Sequence, residues 1–246
     1  MQQMGHAIYE RYREQEEKNY TIENLQSKMI PLIREEFAGI AGTSRTLEEA
    51  FVWMIKVIKV FSIDKYNGLT DTILNAMFKL YCSPNTLTLA EKRIYLKTLV
   101  TGYESYLKKL HFLIKDKEVT DKNGEVEYAA LSNALYCMQL NKLQYSDKSI
   151  DRKFAQYIDI LVNLRNEENH QAKSLNAKEI QLGIYVVTTM FMYVTFKNIT
   201  ELEMVEDKFN IKHIDKQPKT YTIMEEEADT RMVAERASEY SSKGSN

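Results

Sequence analysis

Three residues at the end of one predicted helix could together cleave a phosphodiester bond: Arg165, Asn166 and His170. An arginine holds phosphate oxygens through its planar guanidinium group, and a histidine moves protons near neutral pH. His170 could take a proton from a nucleophile or protonate a leaving oxygen, while Arg165 could neutralise charge on the phosphoryl oxygens. Asn166 could hold the histidine tautomer or a phosphate oxygen. RNA carries its own nucleophile, the 2′-hydroxyl, which DNA lacks, so this metal-free chemistry favours RNA.

The spacing of these residues restricts how they can act. Arg165 and His170 are five positions apart, which on a regular α-helix places them about 140° apart around the axis. They could face one phosphate if His170 left the helical path, and the polar connector 171–175 favours such a helix end. Alternatively, two copies of the chain could each supply groups to one cleft. A structural interpretation also stays open, in which Arg165 pairs with a nearby carboxylate and His170 is a charge at the helix end.

Helices with identifiable starts surround this stretch. Three capping boxes, in which a threonine or asparagine is followed by glutamate three residues later, predict helix starts at Thr46, Thr88 and Asn176. Apolar residues then recur at helical spacing, whereas Asn67-Gly68 and Asn123-Gly124 predict turns. The predicted helices cover 1–19, 22–37, 46–61, 69–81, 88–113, 128–143, a segment through 154–164, 176–196 and 225–240, with a brief strand at 220–224. Thr200 and Glu203 predict the cap of a further short helix.

The composition indicates a helical protein with a sizeable core. Hydrophobic residues make up 44% of the 246 residues, which is ample for one large domain or two small ones. Eight glycines and three prolines are too few for a turn-dense β-sandwich. Together with the helical periodicity, these values predict an all-α helical bundle.

Charge, cysteine content and hydropathy indicate the compartment of the protein and its possible partners. Residues 79–197 carry 17 Lys and Arg against 13 Asp and Glu, between acidic flanks, a balance that permits nucleic-acid binding without demanding it. Cys82 and Cys137 lie in apolar contexts and predict free, buried thiols, as in a reducing cytosol. The apolar run 182–196 is shorter than the roughly 20 residues of a membrane span, and it predicts a core or interface helix. We therefore expect a cytoplasmic protein with no membrane contact.

The stretch Arg-Asn-Glu-Glu-Asn-His at 165–170 resembles the signature of the HEPN superfamily (higher eukaryote and prokaryote nucleotide-binding domains). That signature is an arginine, usually followed by a polar residue, with a histidine four to six positions later. The apolar helix before the motif, the short connector after it and the apolar helix 180–196 also resemble the family. The resemblance covers roughly residues 89–197.

This resemblance implies a metal-independent endoribonuclease that needs no cofactor, with Arg165 and His170 catalytic and Asn166 supporting. It also implies a homodimer whose two motifs face each other in a shared cleft. The implied role is anti-phage defence or toxin–antitoxin growth arrest, with RNA as substrate and an antitoxin or defence-system protein as partner. The corresponding division of the chain is an N-terminal helical region (1–84), a HEPN-like domain (85–200) and an acidic C-terminal extension (201–246).

Some members of the family have lost activity, so an alternative function is a non-catalytic helical module for dimerisation or assembly with a larger defence complex. The apolar run 182–196 motivates this alternative, since an apolar helix can dock on a partner. It remains open whether the segments before residue 84 form a small subdomain or add helices to one bundle. Lys108, Lys109, Lys153 and Lys173 could add phosphate contacts, although a solvated helix face explains each singly.

Overall fold

The computed structural model describes residues 20–38, 40, 45–60, 67–170 and 175–206, and at 67–70 and 167–170 it describes the backbone alone. Within these ranges the regular structure is entirely helical, which confirms the all-α prediction. The helices are α1 (Ile22–Phe37), α2 (Leu47–Val60), α3 (Asn67–Cys82), α4 (Leu89–Lys115), α5 (Leu131–Cys137), α6 (Ser149–His170), α7 (Ala177–Lys197) and α8 (Ile199–Val205), with 3₁₀ turns at Pro84–Thr86 and Leu140–Tyr145.

The capping boxes predicted at Thr46, Thr88 and Asn176 are present. The predicted cap at Thr200 is wrong, because α8 begins at Ile199 after Asn198 and Thr200 lies inside the helix. At the start of α4, the Glu91 amide donates to the Thr88 hydroxyl at 3.3 Å and the Thr88 amide donates to the Glu91 carboxylate at 2.7 Å. The same reciprocal bonds open α2 and α7. The prediction of α1 is also confirmed, because its Pro31 is accommodated inside the helix.

Two predicted boundaries are wrong. The expected helix 128–143 is instead α5 followed by a 3₁₀ turn, because the chain adopts a left-handed conformation at Gln139 (φ 57°) that ends the α-helix. The first three residues of that predicted helix, 128–130, are not helical. Asn67 and Gly68 are the first residues of α3 and not a turn that precedes it. The expected helices at 1–19 and 225–240 and the strand at 220–224 lie outside the described residues.

The helices enclose one continuous hydrophobic core that extends from Tyr20 to Leu202. Its centre is α7, where Phe191 packs edge-on against Tyr103 and Tyr106 of α4 with ring centroids 5.1 and 5.0 Å apart. Trp53 of α2 belongs to the same core, as its periodicity predicts. The helices before residue 84 therefore add to the bundle and do not form a separate subdomain core.

Helix α7 is long and apolar enough to cross a membrane, but 78% of its most apolar 18-residue stretch is buried inside the protein. Burial on this scale is typical of the central helix of a soluble protein. Cys82 and Cys137 are free and partly buried, and burial raises the pKa of the Cys82 thiol to about 11.

A buried carboxylate joins α1 to the later helices. Glu36 is 8% exposed in its side chain and forms an ion pair with Lys153 of α6, with 2.5 Å between Oε2 and Nζ. Its other oxygen accepts a hydrogen bond from the Tyr185 hydroxyl of α7. Burial acts to raise the pKa of Glu36, but the bonds from Lys153 and Tyr185 outweigh it and hold the pKa below the ordinary 4.5.

We predict that Glu36→Gln lowers the free energy of unfolding at pH 7 by about 1–3 kcal/mol, since it leaves Lys153 without its charged partner. Because the folded-state pKa is depressed, the contribution of the carboxylate is complete above pH 4.5 and is lost as the pH falls through the folded-state pKa. Urea unfolding at pH 7 and pH 3 checks both statements. Glu35→Gln, an exposed neighbour on α1, is the control, and an equal loss in both variants contradicts the assignment.

Candidate functional site

The candidate site lies at the C-terminal end of α6. The helix is amphipathic, and it presents Phe154, Ile158 and Leu161 to the core at helical spacing. Arg165 follows one turn after Leu161, and its side chain remains 28% exposed. The buried stripe thus fixes the rotation of α6 and leaves Arg165 at the edge of the bundle.

A carboxylate of α4 holds the arginine. Glu104 is 13% exposed, and its Oε2 lies 3.2 Å from Nε of Arg165, which donates a hydrogen bond to it. The other oxygen, Oε1, accepts a bond from Nζ of Lys108 at 2.9 Å. Lys108 also donates to the backbone carbonyl of Ala129. A cluster of Arg165, Glu104 and Lys108, which we call the Glu104 cluster, therefore links α6, α4 and the segment before α5.

The Glu104 cluster matches one part of the structural interpretation, because Arg165 does pair with a nearby carboxylate. The same contact also orients the guanidinium group. A bond at Nε fixes the plane of the arginine fork relative to α4, and a fixed fork loses less conformational entropy when it binds a phosphate. The pairing is therefore compatible with either role.

The backbone of α6 remains helical through His170, so the expected departure of His170 from the helical path is wrong. Residues 166–169 contain no glycine or proline, and polar residues alone do not end a helix. Arg165 and His170 thus occupy backbone positions about 140° apart on one regular helix, on different sides of its axis. The side chain of His170 lies outside the described side chains.

Asn166 and His170 are four residues apart, so the helix places them on the same face, one turn from each other. Asn166 is exposed. This register is the one in which an asparagine can support a histidine, whereas Arg165 belongs to a neighbouring face. The three predicted residues therefore divide into one arginine and one asparagine–histidine pair.

No sequence motif points to Glu104, and Lys108 is predicted only as a phosphate contact. The spacing of Glu104 and Lys108 does indicate an ion pair, because the two residues are four apart on α4 and so share one face. The sequence does not reveal that Arg165 is the partner of Glu104, since the two residues are 61 positions apart. Only the packing of α4 against α6 brings the two together.

A glycine permits close packing beside the site. A Cβ atom at Gly183 of α7 would lie 2.8 Å from Cδ2 of Leu96 and 3.2 Å from Cδ1 of Leu164. These leucines belong to α4 and α6, and Leu164 precedes Arg165. Gly183 therefore allows the three helices to approach each other where the Glu104 cluster forms.

In the part of the chain that the structure describes, no group of three His, Cys, Asp or Glu side chains could hold a metal ion. Comparison of the chain with family models, with curated proteins and with solved structures gave no match. The HEPN resemblance accordingly depends on residues 165–170 and on the helices around them.

We predict that Glu104 and Arg165 are energetically coupled by about 1 kcal/mol, because the pair is largely shielded from water. The measurement is a double-mutant cycle of unfolding free energies with Glu104→Ala and Arg165→Ala. The matched control is the pair Arg34–Glu48, which has a shorter contact of 2.9 Å but is 61% and 47% exposed. Its coupling should stay below about 0.5 kcal/mol, and equal values for the two pairs would contradict the prediction.

Proposed function

We propose that this protein is a metal-independent endoribonuclease of the HEPN type that acts in the cytoplasm. The observation that carries the proposal is the end of α6, where Arg165 is oriented by Glu104 and lies one helical position from the Asn166–His170 face. The fold supports it as well, because the motif occurs in an all-α bundle beside a buried apolar helix, as the resemblance implies. A role in anti-phage defence or toxin–antitoxin growth arrest belongs to the same proposal.

The proposed reaction is attack of a ribose 2′-hydroxyl on the adjacent phosphorus. His170 takes the 2′-proton and delivers a proton to the leaving 5′-oxygen, and Asn166 supports its tautomer. The O2′–P bond forms as the P–O5′ bond breaks, leaving a 2′,3′-cyclic phosphate and a 5′-hydroxyl. Arg165 neutralises the charge that develops on the phosphoryl oxygens. Each step uses the substrate's own hydroxyl and these side chains, so it requires no cofactor.

The helical register supports a site built from two copies of the chain. Because Arg165 and His170 occupy positions on different sides of one α6, a single phosphate can contact both residues when a second α6 faces the first. Exposed apolar side chains occur on the two neighbouring helices: Leu182 of α7 is 49% exposed, and Ile94 of α4 is 61% exposed. We propose that these side chains contribute to a homodimer interface beside the cleft.

The second candidate function is a non-catalytic helical module that assembles with a larger defence complex. The Glu104–Arg165 contact favours it, since a structural ion pair alone would explain the position of Arg165. The apolar helix that first suggested a docking role does not favour it, because α7 is used in the protein's own core. Binding of an antitoxin or defence-system protein is compatible with both functions, whereas RNA cleavage separates them.

We predict that the purified protein cleaves single-stranded RNA in the presence of a chelator, and that Arg165→Ala and His170→Ala each lower the rate at least about 100-fold. The products should carry 2′,3′-cyclic phosphates. The measurement is gel analysis of an end-labelled RNA, with circular dichroism to verify folding. Arg152→Ala is the control, because Arg152 is an exposed arginine of the same helix far from the motif. Full activity in both motif variants excludes the proposed catalytic roles.

We predict that the protein is a dimer in solution and that a double variant with Ile94→Glu and Leu182→Glu is a folded monomer, since buried charges oppose association. Light scattering after size-exclusion chromatography measures the change. Leu32→Glu provides the control, because Leu32 is a similarly exposed leucine (58%) on α1. A wild-type monomer, or a double variant that remains dimeric, counts against this interface.

A further inference from the structure

The Glu104 cluster extends to a segment that the proposed reaction does not use. Lys108 donates to the carbonyl oxygen of Ala129, and the residue before Ala129 is Tyr128. The side chains of Glu104 and Lys108 therefore link Arg165 to this segment. The path from Nε of Arg165 to the carbonyl oxygen of Ala129 is roughly 10 Å at ordinary hydrogen-bond lengths. Tyr128 is 69% exposed, so an uncovered aromatic ring is attached to the backbone beside the candidate site.

The backbone on both sides of Tyr128 is held in place. Val119 and Ala129 are buried at 1% and 4% exposure and anchor the two ends of the segment. Between them, the Asp121 carboxylate accepts a bond from the Glu125 amide at 2.8 Å, which closes a turn. The Ala129 amide donates to the carbonyl of Val126 at 3.2 Å. Tyr128 is thus carried by an ordered backbone, which reduces the entropy lost when its ring engages a ligand.

The chemistry of the segment identifies the kind of contact. Glu125 and Glu127 are exposed neighbours of Tyr128, and their charges disfavour a phosphate group at this position. A tyrosine ring instead offers a flat surface on which an unpaired base stacks, and such stacking tolerates any base. Paired bases are not accessible to it, because they are already stacked in the duplex.

We propose that Tyr128 is a stacking platform for the base of a nucleotide about one or two positions from the scissile phosphate, so that the substrate is RNA with unpaired bases. This inference rests on the proposed function, because it places the scissile phosphate at Arg165. It assigns to Tyr128 a role in binding and selecting the substrate and no role in proton transfer.

The test measures binding of a short single-stranded RNA in which every 2′-hydroxyl is methylated, so that no cleavage can occur. Fluorescence anisotropy should show binding about 5- to 100-fold weaker for Tyr128→Ala than for the wild type. Tyr128→Phe keeps the ring and should bind as the wild type does. Tyr145→Ala should also bind normally. Tyr145 is 79% exposed but precedes the first turn of α6, about 24 Å of helix from Arg165.

An abasic nucleotide moved along the RNA locates the stacked base. One position should weaken binding to the wild type and have no further effect on Tyr128→Ala, because the same contact is removed in both cases. Unchanged binding by Tyr128→Ala, or equal losses in Tyr128→Ala and Tyr145→Ala, overturns the inference. If Arg165 and His170 are still required for cleavage in that case, the proposed function stands alone. Absence of any RNA binding or cleavage overturns both.

Discussion

The structure depends on the burial of α7. Fourteen of its 21 residues are buried, so α2, α4 and α6 pack closely around it, and some of its hydroxyl groups are hydrogen-bonded within the core. Thr195 donates to the carbonyl of Phe191 at 2.6 Å, and its hydroxyl oxygen accepts from the Tyr106 hydroxyl at 2.6 Å. The hydroxyl groups of Thr188 and Tyr81 are likewise hydrogen-bonded, with 2.5 Å between their oxygens. These bonds specify how α3 and α4 pack against α7, because a shifted arrangement would leave buried hydroxyl groups unpaired.

The candidate site follows from this arrangement. Helices α4 and α6 both pack on α7, and Gly183 lets them approach it closely beside Leu164. With both helices fixed in this way, Glu104 lies opposite Arg165 and Lys108 reaches the segment before α5. In the proposed function, Arg165 would hold a phosphate and Tyr128 would stack a base beside it. The buried helix aligns the two helices, α4 and α6, that carry the Glu104–Arg165 contact.

The sequence predicts the local features of this fold well and the long-range ones poorly. Capping boxes and helical periodicity gave the starts of α2, α4 and α7, because those signals are contained within a few residues. The end of α5 at Cys137, just before the left-handed Gln139, is not predicted, since a non-glycine residue in a left-handed conformation leaves no sequence signal. The helical path through His170 was also missed, because a polar composition is a weak indicator of a helix end. The Glu104–Arg165 contact depends on tertiary packing and could not be read from spacing.

The most direct test of a site shared between two copies is complementation between inactive chains. Arg165→Ala and His170→Ala are each expected to be inactive alone. After the two are mixed in equal amounts and allowed to exchange subunits, half of the dimers contain one chain of each kind. Each mixed dimer then has one intact site, so about a quarter of the wild-type RNA cleavage should return. A mixture that stays as inactive as its components, although mixed dimers have formed, would contradict the account.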